Sequence, residues 1–272
     1  MYGYDHYLYY SVAVYSKTDE GIKNSYSLFR ADIDNSKIIE IPTDREYSTT
    51  SYVSTADFPY IYTIDDGRIY WYAPSDDGYL HYTTDLAGKN YRELPINDSH
   101  IMNGVYHDGF AYYTLNKSSG SLADCKTDLE RLKFMNERIL RRCNMETGAD
   151  ELVAENIAAY IVTDDGIFYT MYQSEPQEMK RNGDTYYDIF AGRLYRMNLD
   201  GSGAEPLCTL DGVDLSVCTQ LFLGYADGKL ALAFMDEMQN DFYDSGYDYS
   251  ISSDIIIVDT TDGTWRFSED ET

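Results

Sequence analysis

The side chains best suited to ligand chemistry lie in an acidic, tyrosine-rich stretch at 235–254, MDEMQNDFYDSGYDYSISSD. This stretch holds six acidic residues and three tyrosines, and it has no Lys or Arg. Several carboxylate oxygens together bind Ca²⁺, whereas the faces of tyrosine rings attract cations. Because the D-x-[DN]-x-[DN]-G calcium loop is absent, we interpret the stretch as a solvated acidic loop. We predict no metal and no cofactor, and we expect Tyr243 and Tyr247 to contact a ligand.

Two further stretches are also rich in charge. The stretch at 173–191, QSEPQEMKRNGDTYYDIFA, mixes charges with Tyr186 and Tyr187, which is typical of an exposed loop that carries aromatic contact groups. The stretch at 121–138, SLADCKTDLERLKFMNER, has apolar residues at helical spacing and predicts a short amphipathic helix.

Catalytic signatures are missing from the sequence. There is no G-x-S-x-G, no H-E-x-x-H and no phosphate-binding glycine loop. Arg30, Arg142 and Arg196 recur at one position of a repeat described below, which indicates salt bridges at blade edges or surface charge rather than convergence on a single site. A catalytic carboxylate pair cannot be picked out among 47 acidic residues. The sequence therefore assigns no catalytic residue.

The charge balance narrows the range of partners. With 21 Lys and Arg against 47 Asp and Glu, the formal net charge is −26. A field of that sign repels phosphate backbones and anionic lipid surfaces, so nucleic-acid and membrane-surface binding are not expected. No apolar run is long enough to span a membrane, and the N-terminal MYGYDHYLYY lacks the features of a signal peptide.

A repeat of four strands positions these loops. A strand followed by Asp or Asn and a polar turn recurs at intervals of 53 to 61 residues, at Asp32, Asp85, Asn144, Asn198 and Asp259. Upstream of the last four copies lies a hairpin with an Asp-Gly turn, at 66–67, 108–109, 165–166 and 227–228. We letter the four strands of each repeat A to D. Repeated four-stranded antiparallel units predict an all-β β-propeller rather than a sandwich, which needs no internal copying, or a parallel β-helix, which lacks hairpins.

We therefore expect one propeller domain over residues 1–272, with five repeats at approximately 1–46, 47–97, 98–155, 156–214 and 215–272. The units GRIYWY with YTTDLAG, and GIFYTMY with LYRMNLDGSG, resemble the YWTD repeats of low-density-lipoprotein-receptor-type propellers. They also resemble bacterial propeller repeats of unknown function. The YWTD family has six blades, so a native ring of five blades or of six stays open. We expect an extracellular or cell-surface location, with the signal or anchor absent from this chain.

Loop lengths indicate which end of the propeller is used. The segment from the A–B turn to the Asp or Asn of strand C is 18 residues in the second repeat and 31 to 35 residues in the last three. One-sided insertions are typical of a binding face. The sequence therefore predicts a non-catalytic binding module that recognises a protein or glycan through the B–C loops, with Tyr186, Tyr187, Tyr243 and Tyr247 as contacts. A glycan-active hydrolase or lyase with acidic residues at the propeller axis, and a scaffold domain of a longer chain, stay open.

Overall fold

The structure is a computed structural model. It describes residues 2–19, 21–42, 47–49, 60–75, 78–96, 104–172, 177–181, 184–188, 193–210, 218–236 and 253–268. These residues form five antiparallel sheets in which four strands follow one another in chain order. Each such sheet has the strand order of one β-propeller blade, so the predicted fold class is confirmed.

The blades follow the chain from the N-terminus. The first is β1 (Tyr2–Tyr4), β2 (Tyr7–Thr18), β3 (Gly21–Asp32) and β4 (Ile38–Ile41), and the short β5 (Tyr47–Thr49) also pairs with β3. The second is β6 (Tyr60–Asp65), β7 (Arg68–Ser75), β8 (Gly78–Asp85) and β9 (Arg92–Glu93). The third is β10 (Val105–His107), β11 (Phe110–Asn116), β12 (Arg138–Asn144) and β13 (Asp150–Glu155). The fourth is β14 (Ile157–Thr163), β15 (Gly166–Met171), β18 (Arg193–Met197) and β19 (Glu205–Thr209). The fifth is β20 (Cys218–Ala226), β21 (Lys229–Asp236), β22 (Ser253–Asp259) and β23 (Trp265–Phe267).

A helix, a short 3-10 turn and a two-stranded hairpin lie in the B–C connections. The α-helix α1 (Asp128–Asn136) confirms the predicted helix, and a 3-10 turn at Leu122–Asp124 precedes it. The hairpin of β16 (Gln177–Arg181) and β17 (Asp184–Asp188) forms a separate two-stranded sheet.

The predicted A–B turns form tight corners. At Asp66–Gly67, Asp108–Gly109 and Asp227–Gly228 both residues have positive φ, with values of 43° to 50° for Asp and 69° to 75° for Gly. This pair of left-handed residues is the type I′ turn that suits the twist of a hairpin. In the fourth blade Thr163 pairs with Gly166, so the corner residues are Asp164 and Asp165, one position earlier than predicted.

The repeated Asp or Asn organises the C–D corner. In the second blade Asp85 Oδ1 accepts hydrogen bonds from the backbone N–H groups of Lys89, at 2.8 Å, and Ala87, at 3.0 Å. The Lys89 bond is the main cause that holds the pKa of Asp85 below its usual range. In the third blade Asn144 Oδ1 accepts the N–H groups of Glu146 and Thr147, both at 2.9 Å. A side chain that bonds its own downstream backbone fixes the turn locally, which explains why the repeat requires Asp or Asn here.

Both kinds of corner lie at the same end of a blade. The residue after the repeated Asp or Asn donates its N–H to an A–B turn carbonyl: Met145 to Gly109, at 3.0 Å, and Thr260 to Gly228, at 2.8 Å. Because the strands are antiparallel, the B–C connections of those blades leave from the opposite end.

Glycines of the C–D corners lie against the D strand, or the segment that follows it, of the preceding blade. A Cβ at Gly148 would lie 2.6 Å from the carbonyl oxygen of Pro95, and a Cβ at Gly201 would lie 2.7 Å from that of Val153. Neighbouring blades therefore approach each other backbone to backbone at these corners, which only glycine permits.

The strand-C arginines also join blades. Arg30 Nη1 donates to the carbonyl of Leu86, at 3.1 Å, one residue beyond the repeated Asp of the next blade. Arg196 Nε pairs with Glu205 Oε1 of strand D, at 2.6 Å, and Nη1 contacts the Thr260 carbonyl of the next blade, at 3.5 Å. Arg142 pairs with Glu151 in the same C-to-D manner. The interpretation as sheet-edge salt bridges is therefore confirmed for Arg142 and Arg196, whereas Arg30 bonds a backbone carbonyl oxygen.

The chain groups into two compact units, Met1–Tyr113 with Arg142–Glu151, and Thr114–Arg141 with Leu152–Thr272. In the first unit, Tyr9 and Leu28 of the first blade pack with Ile69 and Trp71 of the second. In the second unit, residues of the fourth blade pack with residues of the fifth; this core includes Phe168, Leu194, Leu230, Leu232, Ile256 and Val258. The assignment of 1–272 as one domain stays a prediction.

Candidate binding surface

The B–C connection of the third blade is a closed insertion. At its base the N–H of Lys117 donates to the carbonyl of Glu137, at 2.7 Å. The helix α1 begins with a capping box, in which the Thr127 hydroxyl accepts the N–H of Glu130 and the Glu130 carboxylate accepts that of Thr127. A capping box satisfies two donors that the first helical turn leaves without partners. The insertion is therefore held in one shape by its own hydrogen bonds.

A cavity of about 370 Å³ lies between the 3-10 turn and α1. Its acidic side chains already accept hydrogen bonds: Glu130 from the N–H of Lys126, at 2.6 Å, and Glu137 from the Ser118 hydroxyl, at 2.9 Å. Lys133 and Phe134 of α1 also line it. The carboxylates that line this cavity therefore stabilise the conformation of the insertion through these hydrogen bonds.

The B–C connection of the fourth blade is the β16–β17 hairpin, and β17 lies beside α1. We call α1 and this hairpin the insertion surface. Tyr186 and Tyr187 are consecutive residues of β17, paired with Met179 and Glu178 of β16. The structure thus brings their strand next to the helix of the preceding blade, a juxtaposition that the spacing in sequence does not reveal. Tyr243 and Tyr247 lie outside the described residues, and the contact role of all four tyrosines stays a prediction.

A second surface was missed by the sequence analysis. On one face of the second blade lie five tyrosines and a histidine: Tyr60, Tyr62, Tyr70, Tyr72, Tyr79 and His81. We call Tyr60, Tyr62, Tyr72, Tyr79 and His81 the tyrosine cluster. Tyr72 pairs directly with Tyr60 of β6 and with His81 of β8. The available signal was the alternation of Tyr in YIYTI and RIYWY and of Tyr and His in GYLHY, since alternate residues of a strand share a face.

Ring contacts run through the tyrosine cluster. Tyr60 and Tyr72 have centroids 5.7 Å apart, and Tyr72 and Tyr79 meet at 5.2 Å with an interplanar angle of 82°. Tyr62 stacks on Tyr72 at 6.1 Å and contacts His81 edge to face at 5.7 Å. Exposure falls from 43% at Tyr60 through 7% at Tyr72 to 0% at His81. The cluster is therefore exposed to solvent at Tyr60, the first residue of β6, and fully buried at the imidazole of His81.

Burial favours the neutral phenols of Tyr62 and Tyr72. Burial raises the pKa of Tyr72, and burial together with the neighbouring Tyr106, Tyr70 and Cys143 raises that of Tyr62 well above its ordinary value. Among the described residues the Tyr62 hydroxyl has no hydrogen-bond partner. The phenols of Tyr62 and Tyr72 are therefore neutral at physiological pH.

The histidines do not form a catalytic constellation among the described residues. His6 is exposed beside Asp5 and Asp34, at 3.4 and 3.6 Å, at a corner of the first blade, whereas His81 is buried in the second. In the part of the chain that the structure describes, no group of three or more His, Cys, Asp or Glu residues is placed to hold a metal ion. The same residues include no helix long and apolar enough to cross a membrane.

Comparisons with known proteins found structural similarity to solved structures. No protein-family model matches it, and no curated protein matches its sequence. A chain of a nidogen/laminin complex is 10% identical, with a TM-score of 0.40, over 94% of this chain and 78% of that one. TolB from Acinetobacter baumannii is 13% identical, with a TM-score of 0.35, over 95% of this chain and 57% of its own.

An oligogalacturonate lyase in complex with manganese is 12% identical, with a TM-score of 0.37, over 95% of this chain and 77% of that one. These neighbours are β-propeller proteins. At such identities and TM-scores the likeness carries no argument about activity or ligand. The particular resemblance to YWTD repeats stays a prediction.

Proposed function

We propose that this chain is a non-catalytic, secreted or cell-surface binding module that recognises a protein or a neutral glycan through its B–C connections. The observation that carries the proposal is the one-sided placement of the insertions. In the last three blades the B–C connections run over 117–137, 172–192 and 237–252, while the predicted A–B hairpins turn within two residues. Binding residues in repeat folds concentrate on the face that accepts insertions.

The insertion surface supports this proposal in the second unit. A helix fixed by its capping box lies beside a strand that carries two consecutive tyrosines. Tyrosine contributes a large contact area at a low entropic cost, which makes it a frequent contact residue in binding proteins. Tyr243 and Tyr247 belong to the third insertion and are proposed as further contacts.

Net charge defines the partner's chemistry. A protein of charge −26 attracts basic proteins, binds neutral glycans without electrostatic penalty and repels polyanions. The expected partner is therefore a basic protein surface or a neutral oligosaccharide.

Replacement of the β16–β17 hairpin, residues 177–188, by a short Gly-Ser linker tests the proposal. The intact and shortened proteins are compared on glycan arrays and against a panel of purified basic and acidic extracellular proteins. We expect hits among neutral glycans or basic proteins that the shortened protein loses, with little change in melting temperature, because this hairpin is a sheet separate from the blades. A point variant, Tyr91→Leu, alters an exposed tyrosine of the second blade and serves as the control that keeps the hairpin.

Identical hits for the intact and shortened proteins would place binding elsewhere. Cleavage of an oligosaccharide during the incubation would instead establish the hydrolase or lyase alternative. If replacement of the hairpin unfolds the blades, the insertion is a structural cover and the proposal fails.

A further inference from the structure

We propose that a cavity on the fifth blade binds a small aromatic carboxylate, which is a flat ring that carries one acidic group. The cavity has a volume of about 540 Å³, within the range of about 300–1,000 Å³ that is usual for small-molecule sites. It extends across all four strands and is lined by Gly224 of β20, Ala231 of β21, Ile257 of β22 and Arg266 of β23. These residues belong to the second compact unit, and the site does not depend on the insertion surface or on the proposed function.

The cavity lies where the other four blades hold an aromatic ring. In each of those blades the third residue of strand B is aromatic and at most 7% exposed, and the four rings are Tyr9, Tyr70, Tyr112 and Phe168. In the fifth blade the third residue of strand B is Ala231. The repeat therefore has a position for a buried ring, and the fifth blade supplies no ring there.

The residues beside Ala231 on the neighbouring strands leave this space open. Ala231 lies directly opposite Gly224 on strand A and Ile257 on strand C. In the fourth blade the corresponding ring, Phe168, lies opposite the larger Ile161 on strand A. Apart from its chain neighbours, no atom lies within 4 Å of a Cβ added at Gly224. The ring of a ligand can therefore occupy the volume that a side chain fills in the other blades.

The lining of the cavity combines apolar and cationic side chains. Leu223 lines it and is 49% exposed, and Lys229 and Arg266 are its cationic residues. Asp259 lies opposite Lys229 in the strand register, and its Oδ1 accepts the N–H of Thr261 in the C–D corner, at 2.9 Å. Ammonium and guanidinium groups attract both the face of an aromatic ring and a carboxylate. A ring with one carboxylate therefore uses both kinds of group in the lining.

The net charge of the chain limits the ligand to a single negative charge. The charge of −26 opposes anions at long range, but physiological ionic strength screens interactions beyond about 8 Å. The cationic groups at the cavity act on a bound carboxylate within that distance. Each further negative charge on a ligand would increase the repulsion without a further cation in the lining, so a monoanion fits best.

Three probes test the elements of this inference: 3-phenylpropionate, its neutral amide, and 3-cyclohexylpropionate. Each is titrated into the full chain at physiological ionic strength and followed by ligand-observed NMR. We expect saturable binding of 3-phenylpropionate with a dissociation constant of about 1 mM, which is usual for a ligand of this size. The amide lacks the charge and should bind about two- to fivefold more weakly. The cyclohexyl compound should also bind more weakly, because its ring is puckered and has no π face. The inference is overturned if 3-phenylpropionate shows no saturable binding or if either analogue binds as tightly.

Substitutions in and away from the cavity test the location of binding. Ala231→Phe supplies the ring that the other blades carry at this position, so it should abolish measurable binding of 3-phenylpropionate. Leu223 and Leu152, which lies in β13, are both 49% exposed and give a matched pair that decides the question even if Ala231→Phe does not fold. Leu223→Ser should weaken binding about three- to tenfold through lost apolar contact, whereas Leu152→Ser should leave it unchanged. Unchanged binding by folded Ala231→Phe, or equal binding by the two serine variants, would show that this cavity is not the site.

Discussion

Substitution of Gly148 by Ala tests the idea that corner glycines set the distance between blades. Gly148 has φ of 70°, and an added Cβ would lie 2.6 Å from the Pro95 carbonyl oxygen and 3.4 Å from that residue's Cβ. The left-handed conformation costs a non-glycine residue about 1–2 kcal/mol, and reduced freedom of the unfolded chain offsets about 0.4–1 kcal/mol of that. The steric overlap adds about 1–3 kcal/mol, since the obstacle is backbone and cannot rotate away. We expect a total loss of about 2–4 kcal/mol.

Gly67→Ala is the matched control, because Gly67 has nearly the same φ, 69°, and no atom within 4 Å of its added Cβ. It should lose only about 1 kcal/mol, the strain without the overlap. In a chain of this size each kcal/mol lowers the melting temperature by about 2–4 °C. Differential scanning calorimetry of both variants therefore separates strain from contact between blades. Equal melting temperatures for Gly148→Ala and Gly67→Ala would refute the reasoning.

Three further outcomes follow from single side chains. Burial raises the pKa of Tyr62, so its neutral form stabilises the fold below the unfolded pKa of about 10, and this contribution is lost as the pH rises towards the folded pKa. Tyr62→Phe should therefore move the midpoint of alkaline unfolding to higher pH, and an unchanged midpoint would contradict this. Asn144→Ala removes two acceptor bonds of a C–D corner and should cost about 1–2 kcal/mol in urea unfolding, while Asn144→Asp, which keeps the acceptor, should cost much less. Thr127→Ala breaks the capping box and should cost about 1 kcal/mol of local stability. Amide hydrogen exchange should become faster in α1 and stay the same in β12, and if it stays the same in α1 as well, the cap does not have this role.

Features encoded by a few adjacent residues were predictable from the sequence. The Asp-Gly corners at 66–67 and 108–109 need only two residues that tolerate positive φ, and α1 needs only helical spacing after a cap. The repeated Asp or Asn was recognised as a marker, and the structure supplies its cause in the hydrogen bonds of Asp85 and Asn144. The shifted corner of the fourth blade escaped prediction because Asp164, Asp165 and Gly166 offer two adjacent positions for one turn.

Features that depend on register across strands were not predictable. Tyr60, Tyr72 and Tyr79 are separated by 12 and 7 residues, and only the pairing of β6, β7 and β8 puts them on one face. The proximity of α1 and β17 likewise depends on how two neighbouring blades pack. Arg30 and Arg196 were predicted to form blade-edge salt bridges or to contribute surface charge, and Arg196 does pair with Glu205. The bonds of both arginines to the next blade's corner depend on blade spacing, which the sequence does not show.

The joint between blades has a consequence for how such a chain grows. The fourth repeat carries a glycine that lies against the preceding D strand, as Gly201 does for Val153, and an arginine that reaches the following corner, as Arg196 does for Thr260. The glycine and the arginine that make the contacts between blades are therefore encoded in the same repeat of the gene. A tandem duplication of one repeat creates two matching joints at once, with no need for paired mutations on separate surfaces. The B–C connections take no part in the joint, so after each duplication they are free to diverge in length and sequence while the copied blades stay compatible.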